Sequence, residues 1–191
     1  MNKLSLIIPY RNREEHLAIF VPHINKHLRQ SNINFEINIV EQFDNKSFNR
    51  GKLLNIGFYL SEKENDYFCF HDVDMLPIEA NYSEVKTPTH IATKIEQFNY
   101  SIPYYEYFGG VTLFDKDNFK KINGYSNEFW GWGVEDDDLR NRCIEENMKV
   151  SRRNCIFKSL YHKPNGDTYG DTPSSETIKN RERFQSLKNN L

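Results

Sequence analysis

The sequence predicts an α/β fold built on a mostly parallel central sheet, and three observations predict it. Apolar runs of strand length alternate with helical periodicity along the 191 residues. The side chains best suited to binding, Arg11, Arg13, Asp72 and Asp74, all follow the ends of predicted strands, where ligands bind in open α/β sheets. The length suits one domain, residues 1–191, with a sizeable core.

The elements follow in order. "KLSLIIPYRNR" reads as a buried strand over Leu4–Ile8, stopped by Pro9 and running into a polar loop. Residues 14–30 read as a helix, with Pro22 marking a kink or break. "FEINIVEQ" alternates as a second strand, and "FNRGKLLNIGFYLSEKE" is helical, with Leu53, Ile56, Gly57 and Leu60 on one face. "YFCFHDVD" is a third strand carrying His71, Asp72 and Asp74 at its end. "THIATKI" and "GGVTLF" read as further strands, and "DKDNFKKING" as a short helix closing on Asn123-Gly124. A helix over 135–147, a strand near 155–160, a loop rich in Gly, Pro, Asp and Thr, and a helix from Ser175 complete the chain.

Composition excludes several function classes. Net charge is -2, from 25 basic and 27 acidic residues well interspersed, so no basic stripe offers itself to a nucleic-acid backbone. The three cysteines form no CxxC pair, which argues against a disulfide framework or zinc ribbon and for a reducing compartment. No run of about 18 apolar residues is present, and no signal segment precedes the first strand. Aromatic residues make up 14%, with 11 Tyr and 14 Phe, while mean hydropathy is -0.76. Many rings therefore sit among polar groups, as in clefts that bind carbohydrate or nucleotide.

Four stretches carry chemistry. In "FHDVDMLP", Asp72 and Asp74 point to one side for as long as the chain stays extended. Two such carboxylates suit a hard divalent cation; equally, they suit a turn whose backbone N–H groups they satisfy. In "PYRNR", Arg11 and Arg13 can hold a phosphate or a uracil edge, or simply be solvated. "FNR" at 48–50 offers a stacking ring and a cation where a helix opens. "NEFWGWGVEDDDL" places two tryptophans and two glycines before Glu135, Asp136, Asp137 and Asp138. The helix dipole accounts for one or two acids there, not four. Rings and glycines make a poor core segment and a good mobile lid, and a carboxylate beneath one can deprotonate a sugar hydroxyl.

These pieces, in this order, resemble the β-1,4-galactosyltransferase family, inverting enzymes with the GT-A nucleotide-sugar (Rossmann-like) fold. The resemblance runs from "PYRNREEHL" through "FNRGKLLNIGF", "FHDVDMLP", "YFGGV" and "NGYSNEFWGWGVEDDDLRNR" to His162. It implies that Pro9, Tyr10, Arg11, Arg13, Phe48 and Arg50 line the uridine diphosphate site. Asp72 and Val73 would face the donor, and Tyr107 and Gly110 its sugar, with Tyr107 favouring galactose over N-acetylgalactosamine. Asp74 and His162 would ligate Mn2+ or another divalent cation, and Trp132 would ride the closing loop. Glu135 and Asp136 would bind donor sugar and acceptor, with Asp136 as general base. Asp137 and Tyr104 would hold the acceptor, and Arg183, Phe184 and Leu187 an N-acetyl pocket.

The resemblance is to a minimal, bacterial-type member without stem or membrane anchor, which implies a cytoplasmic enzyme, at the inner membrane face where glycolipid acceptors are presented. The expected reaction moves galactose from UDP-galactose to a GlcNAc, Glc or Xyl hydroxyl. The sequence departs from family metal positions at Ser159 and Leu160, and from a donor-phosphate lysine at Gln97. Three alternatives stand: a UDP-GalNAc or UDP-Glc transferase on the same scaffold, a catalytically degenerate sugar-nucleotide-binding protein, and a metal-dependent phosphohydrolase.

Overall fold

A computed structural model describes residues 2–161 and 174–189. In chain order the elements are β1 (Lys3–Tyr10), α1 (Glu14–Gln30), β2 (Asn34–Glu41), α2 (Arg50–Ser61), β3 (Tyr67–His71), β4 (Met75–Glu79), β5 (Thr89–His90) and β6 (Lys94–Ile95). A 3-10 turn at Glu96–Phe98 leads to β7 (Val111–Asp115), α3 (Lys116–Lys121), α4 (Glu135–Glu145), β8 (Ser151–Arg152), β9 (Ile156–Ser159) and α5 (Ser175–Asn189).

Among the described residues, six strands form one sheet in the order β2-β1-β3-β7-β5-β8, and three form a second in the order β4-β9-β6. β1 runs parallel to β2 and β3, and β5 parallel to β8, while β7 is antiparallel to both its neighbours. Strand alternation divides the core in two. Leu4, Leu6, Ile8, Tyr67 and Cys69 pack with Phe20, Ile24 and Leu28 of α1. Ile7, Phe68 and Phe70 face the other way, towards Leu54 and Phe58 of α2, Phe119 of α3 and Leu139 of α4. That second layer is largely phenylalanine, with Phe70–Phe119 centroids 4.4 Å and Phe58–Phe68 centroids 4.5 Å apart, in tilted geometry. α2 lies so close to β1 that a Cβ on Gly57 would overlap the Ile7 side chain.

Several expectations are corrected. α1 does not break at Pro22. An interior proline costs a helix about 3 kcal/mol, which α1 offsets by burying Phe20, Ile24 and Leu28. His23 and His27 also bond, through Nε2, to the Pro77 and Ala80 carbonyls at 2.7 and 2.8 Å. "THIATKI" is not one strand: β5 and β6 join different sheets, separated at Ile91–Thr93. β4 was unreadable because Pro77 interrupts a five-residue run. The proline is accommodated on an edge strand whose register shifts between Pro77 and Glu79.

Candidate active site

The site forms at the carboxyl ends of β1 and β3, where α2 and α4 begin. After Tyr10 the chain turns through Asn12, whose φ is 50°. Arg11 donates from Nη1 to the Lys46 carbonyl at 2.6 Å and lies over Phe48, 5.4 Å from the ring centroid. Pro9 does not stop the strand as expected: it pairs with Val40 inside β1, which runs on to Tyr10, and Arg13 caps α1, its carbonyl accepting from Leu17 N. Asn49 organises the start of α2: its side-chain oxygen accepts from Lys52 N at 2.9 Å. Its amide donates to the Asn127 carbonyl at 2.8 Å, tying α2 to the tryptophan loop.

Arg50 is the centre of the charge arrangement. Its side chain is 12% exposed; Nε donates to Asp72 Oδ1 at 2.6 Å and Nη1 lies 3.7 Å from Glu135 Oε1. One buried guanidinium thus joins the turn after β3 to the start of α4. Arg50 also lies over Tyr125, 5.8 Å from the ring centroid. Burial pushes the Asp72 carboxyl up to about 6, against the pull of Arg50 and with the repulsion of Asp74. The chain is no longer extended there: Met75 N bonds to the Asp72 carbonyl at 3.2 Å, so the strand-alternation argument for Asp72 and Asp74 gives way to a turn around buried Val73. The neighbouring His71 is core, bonded at Nε2 to the Tyr82 hydroxyl at 2.8 Å and held neutral, its pKa lowered by burial to about 4.

The four acids of α4 separate. Val134 adopts φ 65°, a strained conformation for a β-branched residue, and the helix opens directly after it. Asp138, 4% exposed, pairs with Arg142 Nε at 2.8 Å within the helix. Asp137 Oδ1 accepts from the Tyr104 hydroxyl at 2.9 Å. Asp136 packs on Gly109, where an added Cβ would overlap Asp136 Oδ2 and crowd the Tyr107 hydroxyl. Burial, then Glu135 and Asp137, push the Asp136 carboxyl well above the usual range, with Arg50 pulling the other way. Burial and the same acids raise the Tyr104 phenol.

The tryptophan loop is pinned from two sides. Gly131 N donates to the Phe48 carbonyl at 2.8 Å. Asn180 of α5 donates to the Trp130 and Trp132 carbonyls at 2.8 and 3.2 Å. Phe129 is buried, so this segment contributes to the core as well. Further along α5, Arg183 reaches Glu128 at 3.5 Å, and Phe184 is buried under the Lys188 ammonium, 4.7 Å from its ring centroid. Leu187 is exposed.

At the turn after β3, the Asp74 carbonyl accepts from Leu160 N at 2.7 Å and Met75 pairs with Ser159, which sets the end of β9 beside Asp74. His162 lies outside the described residues. No cluster of three or more His, Cys, Asp or Glu side chains forms among the described residues. The hard carboxylate oxygens at this turn fit a divalent cation such as Mn2+.

Residues 1–84 match a family model described as the N-terminal region of glycosyl transferase group 7, and residues 89–163 one described as the N-terminal domain of galactosyltransferase. The catalytic domain of Drosophila β-1,4-galactosyltransferase 7 in complex with xylobiose superposes with a TM-score of 0.79 at 30% identity, covering 96% of this chain and 81% of that one. The chain belongs to the β-1,4-galactosyltransferase family. Its sheet and helices are accordingly those of the GT-A glycosyltransferase fold. Mouse β-1,4-galactosyltransferase 1 is 41% identical over 159 residues, 81% of this chain and 40% of the mouse protein. The chain thus spans about two-fifths of the length of the curated relatives it matches. A mutant of the Drosophila enzyme in complex with manganese, UDP-Gal and xylobiose matches with a TM-score of 0.79, 28% identity, and coverage of 95% of this chain and 80% of that one.

Within this galactosyltransferase-family site, three contributors escaped the sequence. His90 donates from Nε2 to the Gly109 carbonyl (2.8 Å) and meets Tyr107 edge-on at 5.4 Å; burial lowers its pKa to about 4. It lay hidden in what read as an ordinary strand. Asn180 and Lys188, whose charge acts on Asp137, come from a helix whose docking no local signal announces. Among the described residues, no helix is long and apolar enough to cross a membrane.

Proposed function

We propose that this chain is an inverting, metal-dependent β-1,4-galactosyltransferase that moves galactose from UDP-galactose to a sugar hydroxyl of a glycan acceptor. The observation that carries the reading is the pairing of buried Arg50 with Asp72 and Glu135, beside Asp136 on Gly109. It ties the turn after β3 to the start of α4, which supports reading donor and acceptor side by side there. Arg11, Arg13 and Phe48, with Pro9 and Tyr10 at the strand end, take the uridine diphosphate. Val73 and Gly110 let the donor approach, and Tyr107 meets its sugar. Asp74, with His162, would hold Mn2+, which when bound supplies positive charge against the diphosphate.

Asp136 carries the proton step. Its raised pKa makes it a stronger base than an ordinary aspartate, suited to take the acceptor hydroxyl proton as that oxygen attacks the anomeric carbon from the opposite face. Glu135 and Asp137 orient sugar hydroxyls on either side, Asp137 with Tyr104 and the α5 residues Arg183 and Phe184 at the acceptor end. Trp132 covers the donor and excludes water that would hydrolyse it. The whole of 1–191 acts as one catalytic domain. Its three buried free thiols suit a cytoplasmic setting, with glycolipid acceptors at the inner membrane face.

The test is uridine diphosphate release with Mn2+, offering UDP-galactose, UDP-N-acetylgalactosamine and UDP-glucose against N-acetylglucosamine, glucose and xylose. Acceptor-dependent release from UDP-galactose is expected. Release from another donor alone would transfer the reading to that sugar. Asp136→Asn should lower turnover by orders of magnitude and spare donor binding; an equally active variant would sink the assigned base. Tyr107→Leu should let UDP-N-acetylgalactosamine in, measured as the ratio of kcat/KM for the two donors.

A further inference from the structure

Four tyrosines, Tyr100, Tyr104, Tyr105 and Tyr107, fall within eight residues. Two are used by the site: Tyr104 on Asp137, and Tyr107 meeting Tyr104 edge-on at 5.5 Å. Tyr105 is not. It lies between them in a turn closed by Tyr107 N to the Tyr104 carbonyl at 3.1 Å, and it is 76% exposed. Its phenol makes no hydrogen bond among the described residues.

The ring is nevertheless held. The Arg152 guanidinium lies 5.4 Å from its centroid. Arg152 in turn donates from Nη2 to the carbonyls of Tyr105 and, at 3.2 Å, Tyr107. Its backbone is fixed in β8 against His90. One face of the ring is therefore backed by a cation and the other is left flat to solvent. The turn stands beside Asp137, the side chain read above as holding the acceptor, because the adjacent Tyr104 hydroxyl donates to Asp137 Oδ1 at 2.9 Å.

We propose that Tyr105 is the platform of a distal acceptor subsite, stacking the pyranose on the reducing side of the sugar that receives galactose. A pyranose brings an apolar C–H face to an aromatic ring and hydroxyls to its rim. Here the exposed ring supplies the apolar platform, and the Arg152 guanidinium behind it holds it in place. An apolar partner would desolvate the Arg152 charge without replacing its hydrogen bonds to water. Backing by Arg152 also lowers the entropy lost when the ring engages, which favours a preformed site over a mobile one. The proposal rests on the galactosyltransferase reading.

The test compares wild type, Tyr105→Ala and Tyr105→Phe on monosaccharide and disaccharide acceptors, N-acetylglucosamine against chitobiose and xylose against xylobiose. Saturation-transfer NMR of the same disaccharides, with Mn2+ and uridine diphosphate present, reads binding separately. Wild type should prefer the disaccharide of the accepted sugar by about five- to tenfold in KM. Tyr105→Ala should abolish that preference, keep monosaccharide kinetics within about twofold, and lose saturation of the reducing-side sugar, while Tyr105→Phe keeps all three. Equal losses on monosaccharide and disaccharide would make Tyr105 a mere support of the turn and overturn the subsite. So would unchanged saturation in Tyr105→Ala. If no acceptor is glycosylated yet the saturation difference persists, the transferase reading fails and the subsite stands. If transfer to a monosaccharide occurs with no disaccharide preference, the subsite alone fails, and if neither transfer nor saturation is detected, both fail.

Discussion

Asp136 sits where ionisation is hard: half-buried against Gly109 and flanked by Glu135 and Asp137, with Arg50 and the Asp137 N–H, which donates to Asp136 Oδ1 at 3.0 Å, pulling the other way. A folded pKa above the unfolded value favours the protonated acid in the folded state. That contribution is complete below the ordinary Asp value of 3.8 and is lost as pH rises through the raised value. Asp136→Asn should therefore unfold at a higher temperature than wild type at pH 7, and the gap should close near pH 4. Each kcal/mol gained corresponds to about 2–4 °C. Thermal melts of both proteins across that range check it, and a lower melting temperature for the variant at pH 7 would refute the burial argument. The acid limb of kcat/KM should likewise fall well above the usual aspartate range. Arg50→Met, which leaves Asp72 and Glu135 without their cation, should cost about 3–5 kcal/mol of stability and weaken UDP-galactose binding, as calorimetry would record. The four acids were visible in the sequence as an excess over what a helix dipole needs. Which of them is structural was not, because Asp138 is distinguished only by burial and by Arg142 one turn on.

The start of α4 and its tryptophan loop are legible as a unit in "NEFWGWGVEDDDL"; their partner α5 is legible only as a helix. The buried amide of Asn180 joins them by bonding to two loop carbonyls, with the exposed Arg183–Glu128 pair beside it. Asn180→Ala should free the loop, leaving those carbonyls to water at a loss of about 1 kcal/mol per bond. Trp130 and Trp132 fluorescence should then become more accessible to acrylamide, and KM for UDP-galactose should rise while the fold is retained. Unchanged quenching would show that Phe48 and Asn49 hold the loop without α5. The turn of Asp72–Asp74 was misjudged for a related reason: strand alternation extrapolates only as far as the strand, and β3 ends at His71. Side-chain periodicity in the sequence says where a strand faces, and nothing in it says where a backbone hydrogen bond will close a turn.

Across the whole molecule, the parallel core β2-β1-β3 with α1 and α2 was readable because buried strands and amphipathic helices each have a period. The three-stranded sheet β4-β9-β6 was readable only at β9, the strand expected near 155–160, since two-residue β6 has no period and β4 contains a proline. The two sheets still depend on one another through α1, whose histidines bond to carbonyls beside β4. α2 depends on close approach to β1. Gly57→Ala forces a methyl into Ile7, so it should cost about 1–3 kcal/mol, or roughly 2–12 °C in melting temperature. Because Arg50 starts the same helix, donor affinity should fall with it; calorimetry and a thermal melt on one sample test both. The site draws on residues from Arg11 to Lys188, nearly the full length of the chain, and this sets a timetable for its birth. Synthesis proceeds from the N-terminus at about 5–20 residues per second, so the Arg50–Asp72 pair can exist long before Asn180 has been made. A growing chain would hold its nucleotide end ready while the tryptophan loop still awaited its fastening, and would acquire that fastening only once α5 had left the ribosome.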